Sequence, residues 1–242
     1  MSTVKPYKNK QNKKLQIETM FDNIAQYYDK LNSILSFKMD SIWRKRAVQH
    51  IHNNPKKVLD IATGTGEFAI TTAKYTTAHI TGIDISHKMI EIGKRKIKNK
   101  KLTSRISLQI GDAEQLKFEN NSFDVITAGF GIRNLENIHQ GIAECYRTLK
   151  KDGILLILEP STPSVPFLKQ IYRLYFSYLV PLIGGVISRD KHAYQYLHDS
   201  VKEFPRKQDF LKKLSEKGFK NCKHIPLSCG IISLYYAKKT IT

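Results

Sequence analysis

The chain has 242 residues, a formal net charge of +19 and three cysteines, which show no C-x-x-C spacing. A chain of this length can bury a substantial core, and its apolar content is that of a globular protein. The cysteine spacing argues against a disulfide framework or a zinc site and favours a reducing cytosol. The charge favours an anionic partner, either nucleic acid or a membrane surface, but lysines spread along the chain fit an ordinary surface equally well.

The N-terminal segment is rich in lysine and lacks the apolar core of a secretory signal. Residues 1–15 are predicted to form a basic flexible tail and residues 16–242 a single domain, because no repeat or flexible linker divides the rest. The longest apolar run, residues 174–187, is too short to span a bilayer and is interrupted by Pro181. We expect a cytoplasmic protein, with or without contact to the inner face of the cell membrane.

Strands and helices alternate along most of the chain. Apolar, β-branched runs predict strands at residues 56–62, 79–85, 105–113, 123–130 and 152–160. Helical patterns separate them at residues 67–75, 87–98 (with Ser86 as its cap) and 136–149. This order indicates an α/β fold, a doubly wound and mostly parallel sheet with helices on both faces.

The last third of the chain breaks the alternation. Helical spacing of apolar residues predicts a helix over residues 165–180 and another over 207–217. Two strands then follow, in 219–228 and 230–239, joined by a short turn at Cys229 and Gly230. We therefore expect a seven-stranded sheet that carries helical insertions and ends in a C-terminal antiparallel hairpin.

A glycine-rich loop follows the first strand, with Thr65 between Gly64 and Gly66. Glycines allow a sharp turn and a close approach of a ligand to the backbone. The sequence GTGEFA also satisfies the permissive dinucleotide pattern G-x-G-x-x-A. That pattern alone is weak evidence, because a purely structural turn needs similar residues.

Acidic residues accompany three successive strands. Asp60 lies in the first strand, Asp84 closes the second, and Asp112 with Ala113 closes the third. Each acid alone is more often a helix cap or a solvated residue, but together at the carboxyl edge of a parallel sheet they form one ligand track. Asp84 is placed to accept hydrogen bonds from a ribose, with an adenine beside Asp112. Since the loop has no phosphate-binding lysine or arginine, the track suits S-adenosylmethionine better than ATP.

The motifs DIATGTG, GIDIS and GDAE and the final hairpin resemble a class I, Rossmann-like S-adenosylmethionine-dependent methyltransferase. Three further segments resemble the ubiquinone/menaquinone biosynthesis C-methyltransferases: MFDNIAQYYDKLNSILSF with WRKR, then FGIRN, then PLIGGVISRDKHAYQYLHDSVKEFP. The resemblance implies methylation of demethylmenaquinol to menaquinol without a metal. It places the cofactor on Thr65, Asp84, Asp112 and the backbone of Ala113. Some members carry a serine cofactor contact where this chain has Gly129.

Arg133 and Asn134 stand just past the fourth strand, in FDVITAGFGIRNL. Methyl transfer to a ring carbon depends on in-line positioning, and a charge beside the ring hydroxyl stabilises the developing phenolate. Arginine is too basic to accept the proton itself. We predict that both residues contact the acceptor oxygen, directly or through water. The alternative is that they only fix the loop.

Other acceptor contacts are weaker predictions, since each residue could be ordinary structure: Tyr28, Asp29, His192, Tyr196 and His198. A prenyl tail needs an apolar slot, which the helix over residues 167–180 and Tyr194 could line unless that helix is simply core. The lysine-rich start is predicted to contact anionic lipid.

Several alternatives stay open. The closest is the equivalent methylation of the benzoquinol in the ubiquinone pathway. The charge suggests a nucleic-acid methyltransferase, but GFGIRN stands where enzymes acting on exocyclic amines carry N-P-P-Y, and no RNA-binding module is evident. A basic binding module without turnover, a nucleotide-dependent hydride transferase and a homodimer of the enzyme also remain.

Overall fold

A computed structural model describes residues 4–52, 54–163, 165–175, 191–205 and 207–240. Two helices that the hydrophobic pattern did not reveal precede the sheet, α1 (Lys13–Leu35) and α2 (Met39–Val48). The predicted alternation follows as β1 (Lys57–Ile61), α3 (Glu67–Tyr75), β2 (His79–Asp84), α4 (His87–Asn99), β3 (Ile106–Ile110), β4 (Phe123–Gly129), α5 (Ile138–Thr148) and β5 (Leu149–Pro160).

The described residues of the C-terminal part form three helices and two strands, α6 (Pro166–Leu174), α7 (Lys191–Glu203), α8 (Lys207–Glu216), β6 (Lys220–Leu227) and β7 (Ile232–Lys238). The helix predicted over residues 165–180 is present as α6, and its part beyond residue 175 lies outside the described residues. A short 3₁₀ turn, Ser228–Gly230, closes the predicted hairpin.

The seven strands form one sheet in the order β3-β2-β1-β4-β5-β7-β6. The first five strands pair in parallel, and β7 pairs antiparallel with both β5 and β6. The predicted fold class is therefore confirmed, with β7 inside the sheet and β6 at its edge. The strand order reverses between β1 and β4, and ligands of open α/β sheets bind outside the carboxyl ends of the strands at such a point.

Helices cover both faces of the sheet, which is why β1 and β5 read as continuous apolar runs. One core cluster packs α2, α3 and α4 against one face, and a second packs α5 and α8 against the other. A third cluster joins α1 to α7 and to Met89 of α4. The N-terminal helix therefore lies across the carboxyl edge of the sheet, over the expected ligand track.

The predicted tail ends earlier than residue 15, because α1 begins at Lys13. The Lys13 side chain is 1% exposed, and its ammonium donates hydrogen bonds to the carbonyls of Arg133 (3.1 Å) and Leu135 (3.0 Å). Burial lowers its pKa to about 8. A lysine-rich sequence normally indicates a solvated segment, but here one lysine satisfies carbonyls at a turn 120 residues away.

Candidate active site

The glycine-rich loop lies at the carboxyl edge of β1, at the point where the strand order reverses. Gly64 and Gly66 have φ angles of +55° and +82°, which residues with a side chain rarely adopt. A cavity of about 900 Å³ opens beside the loop, and a narrow groove of about 60 Å³ adjoins it. Ligand pockets commonly measure about 300–1,000 Å³, so the cavity can hold a bulky organic molecule.

The narrow groove contains the predicted adenosine contacts. Asp84 is 9% exposed, and its carboxylate accepts hydrogen bonds from the backbone N–H of Gly64 (2.8 Å) and of Ser86 (2.9 Å). Burial raises the pKa of Asp84 to about 6. A carboxylate has about four acceptor positions, so the Asp84 carboxylate can still accept a hydrogen bond from a ribose. Asp112 and Ala113 line the same groove.

Helix α1 closes the groove from above. The Lys14 ammonium lies 2.6 Å from Asp112 Oδ2, while Asp112 Oδ1 accepts the N–H of Glu114 at 2.8 Å. Ile17 and Phe21 of α1 also line the groove. A nucleoside entering here would lie between α1 and the sheet.

Asp60 borders the large cavity and also binds the glycine-rich loop, and its cofactor contact stays a prediction. It is fully buried, and its two oxygens accept hydrogen bonds from the hydroxyls of Thr63 and Thr127 (2.6 Å for Thr127). Burial raises its pKa to about 6. The carboxylate therefore ties the start of the glycine loop to β4.

The Thr65 side chain is turned away from the groove. Its hydroxyl donates to Asp29 of α1 at 2.6 Å and accepts from the Lys96 ammonium at 2.9 Å, and Lys96 also pairs with Glu67 at 2.9 Å. Thr65 borders the large cavity, and its cofactor contact stays a prediction. Asp29 also borders the cavity and fastens α1 to the loop through Thr65 and Lys96, and its acceptor contact likewise stays a prediction.

Arg133 occupies a 3₁₀ turn (Ile132–Asn134) directly after β4 and borders the large cavity. Its Nη1 lies 3.0 Å from Glu159 Oε2, and Glu159 Oε1 accepts the backbone N–H of Arg133 at 3.2 Å. The Phe130 carbonyl also accepts from Nη1. Arg133 is 8% exposed and Glu159 is fully buried. A buried carboxylate therefore holds the guanidinium at the cavity wall.

Aromatic hydroxyls surround this arginine. Tyr196 donates a hydrogen bond to Asn134 Oδ1 at 3.2 Å, and Tyr28 and Tyr172 line the same cavity. Burial raises the pKa of Tyr28, Tyr172 and Tyr196, and the positive charge of Arg133 opposes this rise in each. The three phenols are therefore protonated at neutral pH and can act as hydrogen-bond donors.

The predicted histidine contacts lie elsewhere. His192 is exposed, and its ring packs edge-on against Tyr7, with the centroids 6.0 Å apart. His198 is partly buried, and its Nδ1 lies 3.3 Å from Asp199 Oδ1. Neither histidine lines the cavity, whereas Tyr196 on the same helix does. The side chain of Tyr194 lies outside the described residues.

Packing explains the glycine that ends β4, Gly129, and the glycine in the loop after it, Gly131. A Cβ atom on Gly131 would lie 2.4 Å from Cβ of Ala62, and one on Gly129 would lie 2.9 Å from the Phe68 ring. The loop after β4 therefore presses directly against the glycine-rich loop. This close approach brings Arg133 next to the cofactor groove.

Sequence reasoning missed Glu159, which holds the cavity residue Arg133, and Arg44, which lines the cavity. Glu159 is the acid at the end of the apolar strand β5, and an acid within a buried run was the available signal. Arg44 of α2 is 7% exposed, pairs with Asp40, and has a buried Nε without a hydrogen-bond partner. Arg44 lines the cavity beside Gly64.

Within the described residues, no helix is long and apolar enough to cross a bilayer. The same residues contain no group of three or more His, Cys, Asp or Glu side chains that could hold a metal ion.

Comparison with known proteins identifies close relatives. The chain is 44% identical over 227 residues to "Ubiquinone/menaquinone biosynthesis C-methyltransferase UbiE" of Citrifermentans bemidjiense, covering 93% of this chain and 96% of that protein. It is 40% identical over 238 residues to "Demethylmenaquinone methyltransferase" of Bacteroides fragilis, covering 98% and 97% of the two chains.

A solved structure shares the fold at lower identity. A putative S-adenosylmethionine-dependent methyltransferase from Methanococcus maripaludis superposes with a TM-score of 0.69 at 19% identity and 98% coverage of both chains. The model of the ubiE/COQ5 methyltransferase family matches residues 8–239. With the glycine loop, the acidic track and Arg133 in place at one sheet edge, this match confirms the predicted resemblance: the chain belongs to the ubiE/COQ5 methyltransferase family.

Proposed function

We propose that this protein transfers the methyl group of S-adenosylmethionine to a ring carbon of a prenylated hydroquinone, converting demethylmenaquinol to menaquinol in the cytoplasm. The observation that carries the proposal is the buried Arg133–Glu159 pair, which presents a guanidinium to a 900 Å³ cavity beside the glycine loop. The relatives named as demethylmenaquinone methyltransferases support the choice of acceptor.

The residues of the groove fit S-adenosylmethionine. Asp84 would accept hydrogen bonds from the ribose, and Asp112 with the backbone of Ala113 would bind the adenine. Arg44 is the candidate for the carboxylate of the amino-acid end, because its buried Nε lacks a partner and its planar fork matches a carboxylate. The sulfonium supplies a methyl group that is already electrophilic, so the proposed reaction uses no metal.

The proposed roles of the residues that contact the acceptor ring follow from the charge that develops on its hydroxyl oxygen. The neighbouring hydroxyl oxygen gains negative charge as it gives up its proton, which makes the ring carbon a better nucleophile, and Arg133 stabilises this phenolate directly or through water. Glu159 holds the guanidinium in place, while Asn134 and Tyr196 together orient the ring. The carbon–sulfur bond breaks with its electron pair remaining on sulfur, a carbon–carbon bond forms, and the ring carbon releases its proton to water, which restores the aromatic ring.

A second candidate acceptor is the benzoquinol of ubiquinone synthesis. The relatives at 43–44% identity carry a name that covers both pathways. This alternative keeps the same residues in the same roles, so only the product can distinguish the two.

The test is to incubate the pure protein with labelled S-adenosylmethionine and separate panels of demethylated naphthoquinols, benzoquinols and RNA. We expect label in the naphthoquinol product, with the added mass of one methyl group on the ring by mass spectrometry. Label mainly in the benzoquinol would favour the second candidate. Label only in RNA would contradict both.

A further inference from the structure

We infer that the mouth of the large cavity is itself a docking surface for an anionic lipid bilayer, formed by apolar side chains from two elements. This surface, here called the mouth patch, consists of Ile34 and Phe37 at the end of α1 and Phe167, Ile171 and Leu174 on α6. Each is a large apolar side chain left exposed: Phe37 77%, Phe167 71% and Leu174 59%. The inference rests on the proposed function only in explaining why membrane docking would help the enzyme. The binding of the patch to lipid does not depend on that function.

The two elements meet at the same opening. The Phe37 ring lies 6.3 Å from the Tyr175 ring, centroid to centroid, and the Tyr175 hydroxyl donates to the Leu35 carbonyl. Phe37 and Ile171 both line the cavity. The patch is therefore continuous with the space in which the acceptor ring is proposed to react.

The shape of each element favours a membrane interface. Phe167, Ile171 and Leu174 recur at helical spacing on one face of α6, so this helix presents an apolar stripe. Its nine residues extend about 14 Å at ~1.5 Å per residue, less than half of the ~30 Å bilayer core. A helical segment of this length can lie in the interface. In the turn after α1, Phe37 has a φ of +51°, a backbone conformation that costs free energy for a residue with a side chain. The turn adopts this conformation and leaves the Phe37 ring exposed.

The basic residues around the mouth patch favour an anionic lipid bilayer as its partner. Residues 30–38 and 165–175 contain Lys30, Lys38, Lys169 and Arg173, and no acid. All four basic side chains are exposed. Basic residues around an exposed apolar surface complement the negative surface of a membrane that contains anionic lipid. A second copy of this chain would bring eight positive charges together, which disfavours a self-association through the patch.

If the mouth patch docks on the membrane, the cavity opens towards the bilayer, where the prenylated substrate lies. A prenylated quinol has its tail in the bilayer, and a cavity that opens onto the membrane lets the ring enter while the tail stays in lipid. The N-terminal lysines are then an additional contact rather than the principal one.

The experiment is cosedimentation of the full chain with phosphatidylcholine vesicles that contain or lack phosphatidylglycerol. The apolar variant Phe167→Ser/Leu174→Ser changes two residues that do not line the cavity. Its control is Tyr75→Ser, which removes another exposed ring (51%) at the opposite edge of the sheet. The charge variant is Lys169→Gln/Arg173→Gln, matched by Lys98→Gln/Lys100→Gln at the far end of α4.

We expect the wild type to bind vesicles with phosphatidylglycerol and to be released by salt. The apolar variant should lose at least about tenfold in affinity, since two large side chains no longer enter lipid. The charge variant should lose affinity and show a weaker salt dependence, while both controls bind as the wild type does. Wild-type binding by the apolar variant would overturn the inference. So would light scattering that shows a wild-type dimer which this variant converts to a monomer.

Turnover on a short-chain, soluble quinol separates this inference from the proposed function. The variants should methylate that quinol at the wild-type rate but lose activity on a long-chain quinol in vesicles. If the wild type methylates no quinol while the vesicle pattern holds, the proposed function fails and the docking surface stands.

Discussion

Replacing Arg133 should separate catalysis from stability in a way that the structure makes quantitative. Arg133→Ala removes the only cation within hydrogen-bonding distance of Glu159 among the described residues, and Glu159 is fully buried. An uncompensated buried charge costs about 3–5 kcal/mol, a large part of a typical stability of about 5–15 kcal/mol. The loss of one donor to a developing oxyanion costs ~10²–10³ in kcat. Both losses are expected together in Arg133→Ala.

The double variant Arg133→Met/Glu159→Gln tells these effects apart. It removes both charges, and the glutamine oxygen can still accept the backbone N–H at position 133. We expect its free energy of unfolding to recover most of the loss, whereas its kcat should stay as low as that of Arg133→Ala. Arg133→Lys should give an intermediate kcat, because lysine keeps the charge but loses the planar fork.

The assays are kcat and KM on a short-chain quinol, calorimetric affinity for S-adenosylhomocysteine, and urea denaturation. Affinity for S-adenosylhomocysteine should change little in the folded variants, since Arg133 faces the acceptor. A folded double variant with near-normal kcat would refute the catalytic role and leave Arg133 as a residue that only fixes the loop.

The remaining predictions concern the cofactor side. Asp84→Asn should weaken S-adenosylhomocysteine at least about tenfold in calorimetry, because hydrogen bonds to a charged acceptor contribute about 1.5–3 kcal/mol each; unchanged affinity would remove Asp84 from the site. Arg44→Lys should weaken S-adenosylhomocysteine about tenfold but leave methylthioadenosine, which lacks the amino-acid end, unaffected; the exposed Arg46→Lys is the control, and equal losses for both ligands would contradict the assignment. In the wild type, the folded Asp60 retains a proton that the unfolded chain releases between its ordinary pKa of 3.8 and the raised pKa of about 6. The contribution of Asp60 to the free energy of unfolding should therefore fall by about 2 kcal/mol as the pH rises from 4 to 6. Asp60→Asn should lack this contribution in urea titrations, and parallel pH curves for the two proteins would show that Asp60 does not titrate in this range.

The alternation of strands and helices from β1 to β5 was determined by local sequence patterns, which did not reveal α1, α2 or α7. Continuous β-branched runs, glycines at the first turn and Ser86 before α4 each specify their own element without distant contacts. Ser86 does accept the N–H of Met89, as predicted. Because parallel strands bring their carboxyl ends to one edge, the same patterns also placed Asp84, Asp112 and Arg133 on a common edge.

Partners distant along the chain could be found only in the tertiary structure. Arg133 meets Glu159 26 residues later, Thr65 meets Asp29 36 residues earlier, and Lys13 reaches a turn 120 residues away. No local pattern encodes these pairs, because they depend on how α1 crosses the sheet and how the loops pack. The sequence thus predicted which charged groups reach the edge, whereas the packing decided which ones face the cavity and which hold their neighbours in place.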